Sequence, residues 1–385
     1  MKLQQTPNGW VIAGIVLLVL VAGGVIGWQW LMRHFMRQYY ESAYQPLPLT
    51  AETLGDFPAE HHLPDVPWIA TGLPTCQSNS LQMIAAQHGV KRPRRHLDFL
   101  MGFTYGASEL PGVSFAPFGT DPETGMKTAA PYVGLERRYY VTGDATLYRR
   151  ALRHFLAQGY PVRVALDMGR LYGVKDFIAH SEVLVGYDAQ GFYYYETVCI
   201  EPATCDAGDH GPGETGLYVT DETLLAAVHS QSRQLKYPWR YTLTIFEPGE
   251  TAIDLKPVWE QNSAALLGGN PYGPKTGADA IEAAADPISR RGAKFDDANT
   301  AVMVNVAADT RRDNATYLRE AFPGDEQLER AARLFDEAAL AYQAIHTALA
   351  DGIADQTEAE EIAAQFRVAA NAERAAGEIF AAYGK

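Results

Sequence analysis

Residues 71–89, Thr-Gly-Leu-Pro-Thr-Cys-Gln-Ser-Asn-Ser-Leu-Gln-Met-Ile-Ala-Ala-Gln-His-Gly, bring a lone cysteine, Cys76, out of a Gly/Pro turn and onto the start of an apolar-periodic segment. Leu81, Ile84, Ala85 and His88 share one helical face, Ser78 or Asn79 is placed to cap the helix, and Gly89 to end it. The first N–H groups of a helix are unpaired and lie at the positive end of its macrodipole. Both conditions favour a thiolate, the form that attacks. The stretch predicts a nucleophilic Cys76 whose base comes from the middle of the chain.

Outward from that helix the order of elements is α+β. Residues 97–107 pass from apolar to Gly/aromatic, and Phe103 and Tyr105 are candidates for a pocket wall; a buried core segment is the plainer reading. Residues 108–134 carry turn signals with little periodicity. A helix is predicted at 145–158, closed by Gly159, and Pro161 opens a strand at 162–166. A second strand at 180–187, a tight turn at 188–191 and a return strand at 192–196 make a hairpin. A helix at 221–230 and a strand at 241–246 follow. From about 275 the composition turns to Ala, Glu and Arg, and Leu328, Ala331, Ala332, Phe335 and Ala339 repeat at three and four, as do Ile362, Phe366 and Ala370. A break after Asp351-Gly352 makes an αα-hairpin, read as a packing or lid-like extension.

Residues 11–30 contain no charge and are long enough to span a bilayer core, with Trp10, Trp28 and Trp30 at the ends and Arg33 and Arg37 beyond. No small-x-small cleavage site ends the run cleanly, which favours a retained single-pass anchor over a cleaved signal. The predicted organisation is an anchor at 1–37, a Pro- and acid-rich stalk at 38–70, an α+β domain at 71–250, and a linker with an α-helical region at 251–385. Lys2 against Arg33 and Arg37 leans towards a cytoplasmic body. Cys199 and Cys205, six positions apart, would lean the other way if bridged; two free thiols are the alternative. An extracytoplasmic, membrane-attached domain is the preferred expectation.

A net charge of -14 disfavours a nucleic-acid partner, and no CxxC or HExxH spacing suggests a metal or cofactor site. A thiol nucleophile needs a base, and the base an orienting group. His180 opens the first hairpin strand and Glu196 ends the return strand, so the turn sets them side by side. Glu196 would receive His180 Nδ1–H while Nε2 faces Cys76. Glu182, two residues on and on the same strand face, is a rival carboxylate, and Asp188 serves the turn. The Cys76 N–H would supply one oxyanion donor, with Gln77 and Asn79 as candidates for the second, local capping being their competing role.

Cys76-Gln77-Ser78-Asn79-Ser80-Leu81, Gly102-Phe103-Thr104-Tyr105, Pro161-Val162 leading to Leu166-Asp167, and His180 followed by Val185-Gly186-Tyr187-Asp188 resemble the butirosin-biosynthesis-protein-H-like family, of the papain-like, bacteriocin-processing type of cysteine peptidase. The resemblance covers about 70–246 and, more loosely, the helical tail. It implies a papain-like core and a Cys–His–acid site, with Cys76 as nucleophile and His180 as base. The implied chemistry is acyl transfer from a peptide, amide or thioester to an amine or water. Glu196 stands where the family usually has Asp, and no glutamine occurs between 60 and 75, where the peptidase branch keeps an oxyanion donor. Two expectations follow. One is a membrane-anchored cysteine-dependent acyltransferase or amide or peptide hydrolase; the other is a degenerate accessory subunit that docks a membrane protein partner through its acidic tail.

Overall fold

The computed structural model describes residues 34–110, 113–198, 215–269, 275–295 and 298–385, with Gly27 and Leu31 ahead of them. The apolar run at 11–30, Gly27 apart, lies outside the described residues, as do Cys199 and Cys205. No helix of the described residues is long and apolar enough to cross a membrane.

The chain is α+β, with a mixed sheet and a helical C-terminal part. A helix α1 through residues 34–44 leads to the short strands β1 (Leu47–Pro48) and β2 (His61–His62). Helices α2 (Cys76–Gln87) and α3 (Arg94–Met101) precede a separate hairpin, β3 (Ser108–Leu110) and β4 (Val113–Ala116). Then come α4 (Pro122–Ala129), β5 (Leu135–Thr142), α5 (Ala145–Ala157), β6 (Val162–Asp167), α6 (Met168–Tyr172), β7 (Ala179–Tyr187), β8 (Gly191–Tyr195), β9 (Leu217–Thr220), α7 (Asp221–Gln234) and β10 (Tyr241–Pro248). The sheet runs β1-β5-β10-β6-β7-β8-β9, with β2 laid along the far end of β7. β1 pairs with β5 in parallel and the other ladders are antiparallel.

β6 is buried at every position, and β7 at every position after Ala179. Helices α2 and α5 pack against β7 and α7 against β6. A strand covered on both faces needs a continuous apolar run, as Val183-Leu184-Val185 supplies. The β7–β8 register shifts between Leu184 and Gly186, and β2 closes on Gly186 so tightly that a Cβ there would lie 2.9 Å from the His61 carbonyl oxygen.

Residues 38–70 are not a stalk. Tyr40 and Tyr44 pack on Tyr139, Tyr237 and Trp239, and Leu49, Leu54, Leu63 and Val66 are buried in the main core. The prolines and acids of this stretch only punctuate a series of apolar anchors.

Helices α8 (Lys256–Leu267), α9 (Gly277–Arg291), α10 (Ala298–Ala321), α11 (Glu326–Asp351) and α12 (Gln356–Tyr383) complete the chain, and the α11–α12 break falls where the αα-hairpin was expected. Ile281, Tyr342, Ile362 and Phe366 build a second core between these helices, while Tyr317, Leu328, Phe335 and Phe380 join the first. The two parts are latched by Arg311. Its guanidinium meets the Glu373 carboxylate at 2.7 and 2.9 Å and donates to the carbonyls of Thr104 (2.8 Å), Gly106 (2.5 Å) and Pro117 (3.1 Å). Phe103 and Tyr105 are therefore not a pocket wall. Phe103 stacks on Phe118 with ring centroids 4.6 Å apart, and Tyr105 is buried among Phe99, Phe335 and Phe380. Tyr105 fills the seam on which the helical part sits.

Candidate active site

Cys76 is the first residue of α2, and Thr75, the N-cap, offers no side-chain cap. The polar residues expected to cap this helix are used elsewhere. Ser78 donates to the Asp98 carboxylate, and Asn79 Nδ2 donates to the Thr197 carbonyl (2.6 Å) and to Thr71 Oγ1 (3.2 Å). Gln77 Oε1 accepts from Arg163 (2.5 Å). Gln77 and Asn79 thus tie α2 to the sheet. The Asn79 amide in particular is committed and unavailable as an oxyanion donor.

The hairpin brings His180 and Glu196 together. His180 Nε2 lies 2.6 Å from Glu196 Oε1 and 3.1 Å from Glu182 Oε1. Nε2 faces the carboxylates, the opposite sense to that expected. All four side chains are shielded, with Cys76 6%, His180 4%, Glu196 4% and Glu182 0% exposed.

Burial alone would depress the His180 pKa. The charge of Glu182, together with the charge of Cys76 and a hydrogen bond to it, outweighs burial and holds the imidazole well above its ordinary value. For Glu196 burial again opposes the outcome, but the hydrogen bond and charge of His180, the Tyr172 hydroxyl and Glu182 pull its carboxyl down to about 2. Glu182 goes the other way: burial and then the charge of Glu196 push it well above the usual carboxylate range. Neither Glu182 oxygen finds a hydrogen-bond partner among the described residues.

Around this core stand residues that the sequence pattern did not single out. Tyr172 donates to Glu196 Oε2 (2.6 Å), and Tyr194 donates to Tyr172 (3.2 Å). The backbone N–H groups of Thr197 and Val198 reach Glu196 Oε1 at 2.9 and 3.1 Å, and Trp68 Nε1 donates to the Glu196 carbonyl (2.8 Å). Nothing in periodicity marks these residues, since Tyr172 lies on a five-residue helix and Thr197 in a loop.

Arg163 was visible as a charge in the middle of an apolar strand, and it is fully covered. Its guanidinium donates to Ser181 Oγ (2.9 Å), to Gln77 and to Glu123, and Glu123 also accepts from Arg137 (2.6 Å). Ser181 Oγ lies 2.9 Å from Ser80 Oγ. The residue after the thiol and the residue after the imidazole are therefore held by one side chain.

Among the described residues, His180, Glu182 and Glu196 form one group whose donor atoms lie within 4.8 Å of one another, close enough to hold a metal ion. No linear motif marks the group, because its three residues are brought together by the hairpin. Neither a scan of protein-family models nor a comparison with curated proteins finds a match to this chain.

Proposed function

We propose that this protein is a cysteine-dependent acyl-transfer enzyme of papain-like architecture, acting on a peptide, amide or thioester through a Cys76 acyl-enzyme. One observation carries the reading: a thiol at the mouth of α2 meets an imidazole whose far nitrogen is held by a carboxylate. In the first half-reaction the thiolate form of Cys76 adds to the carbonyl carbon, and the backbone N–H groups of the first α2 turn receive the oxyanion. His180 Nδ1–H passes its proton to the leaving amine or thiol as that bond breaks. In the second, His180 takes a proton from the incoming water or amine, which displaces the sulfur. Glu196 keeps the ring oriented and balances the imidazolium.

The test is competitive alkylation of the native protein with iodoacetamide, followed by peptide mapping. Cys76 reacts faster than Cys199 and Cys205, and His180→Ala removes its lead. Equal rates would sink the enzyme reading. The shielding of Cys76 and His180 favours a second reading, a non-catalytic accessory subunit; a stoichiometric partner retained by Cys76→Ser in mild detergent supports that one. The apolar run at 11–30 supports single-pass membrane attachment. Release of the protein by alkaline carbonate would argue against it.

A further inference from the structure

We propose that His180, Glu182 and Glu196 bind one zinc-class divalent cation, and that its arrival shuts off the Cys76 thiol. The set is one imidazole nitrogen and two carboxylates, the donors that first-row transition metals of the zinc type accept. Its most telling member is Glu182. That carboxyl is wholly buried, points at His180 Nε2 from 3.1 Å, and has no hydrogen-bond donor on either oxygen. Donors about 2.0–2.2 Å from a tetrahedral ion stand about 3.3 Å apart. The present separations from Nε2, 2.6 Å to Glu196 and 3.1 Å to Glu182, need only a small outward movement of two side chains.

A supporting shell is already in place. Tyr172 and the N–H groups of Thr197 and Val198 orient Glu196 as outer partners orient a metal-binding carboxylate. Tyr172 itself is 41% exposed, so the group lies one side chain from solvent. Three protein ligands leave a fourth position open for water.

Binding releases to solvent the proton on Nε2 and any proton shared by the two carboxyls. The ion then sits where Glu196 held the ring, and His180 keeps only a metal-polarised Nδ1–H. The ring still neighbours the sulfur but no longer cycles a proton. The consequence for the thiol rests on the acyl-transfer reading above; the binding itself does not.

Cobalt(II) is the probe, titrated into the purified, metal-free full chain and into its Cys76→Ser and Glu182→Gln variants. One equivalent gives visible ligand-field bands in the wild type, unchanged in Cys76→Ser and lost in Glu182→Gln. X-ray absorption on the zinc-loaded wild type shows a shell of nitrogen and oxygen without sulfur, and this decides the matter should Glu182→Gln not fold. Zinc loading slows alkylation of Cys76 at least tenfold. Absence of bands, their loss in Cys76→Ser, or sulfur in the shell overturns the site; an unchanged alkylation rate overturns the switch. Slow alkylation of the metal-free protein overturns the enzyme reading alone, since the cobalt bands do not depend on it.

Discussion

Glu196 is the residue on which the thiol centre turns, because a single carboxylate takes the imidazole, two backbone N–H groups and a tyrosine hydroxyl. Glu196→Gln keeps the shape and removes the charge that balances the imidazolium. It should lower acyl-transfer turnover on a generic thioester by about 10²-fold. Tyr172→Phe deletes one hydrogen bond to the same carboxylate and should cost about 1 kcal/mol, or roughly fivefold in rate. A Tyr172→Phe loss as large as that of Glu196→Gln would mean that the tyrosine acts on substrate directly. The nearness of His180 and Glu196 was legible from the hairpin, but not its register: the ladder shifts between Leu184 and Gly186 and pairs Val183 with Tyr195, so its continuation sets Glu182 across from Glu196 and His180 reaches that carboxylate on the diagonal. Which ring nitrogen meets which partner was not legible, because that depends on how the ring is rotated about its side-chain bonds.

At the scale of elements, β5 and α4 were the hard ones to read. β5 has no apolar alternation because Arg137 occupies an inward position, and it does so to meet Glu123 on α4. α4 did carry a start signal, Asp121-Pro122, and Asp121 caps it by accepting from Glu123 N and Thr124 N. One element hid its partner: a charged pair buried between two elements erases the periodicity of both. Burial would raise the Glu123 carboxyl, but Arg163 and Arg137 hold it below its ordinary value. A depressed folded-state pKa means stability that is fully present above about pH 4.5 and lost as pH falls through the folded value. The difference in urea midpoint between the wild type and Glu123→Gln should therefore hold from neutrality to about pH 5 and shrink below it. Glu123→Gln leaves two buried guanidinium groups unbalanced and should cost about 3–5 kcal/mol at pH 7. An unchanged midpoint would show that the two arginines find water instead. Because Arg163 also holds Gln77 and Ser181, the same variant should slow Cys76 alkylation even where it remains folded.

For the whole molecule, the Ala-rich repeats announced the helices but not that they share a core with the sheet domain. Phe103 and Tyr105 drew notice as a pocket wall because an aromatic cluster looks alike in sequence whether it faces solvent, substrate or another part of the chain. Here Tyr105 faces α11 and α12, and Phe103 stacks on Phe118. Arg311→Met should destabilise the protein by about 3–5 kcal/mol, since Glu373 is left as an uncompensated buried charge. Removing the charge as well, in Arg311→Met with Glu373→Leu, should recover only part of the loss, because the carbonyls of Gly106 and Pro117 still lack the Arg311 donor, whereas Thr104 keeps Asn314. Full recovery in thermal unfolding would mean that the latch is purely ionic. Unfolding should also be a single transition, with no plateau between sheet and helices, because Tyr317, Phe335 and Phe380 belong to the sheet domain's core.

β1 and β2 contribute two residues each to the sheet, yet between them they occupy the outer side of β5 and the exposed flank of β7 beyond β6. A chain shortened to begin at Thr71 would present both places as raw edges, rows of unpaired amides that template strand addition from neighbouring molecules. Its failure would then be social rather than private: concentration-dependent self-association on size-exclusion chromatography, setting in below the temperature at which the shortened protein melts.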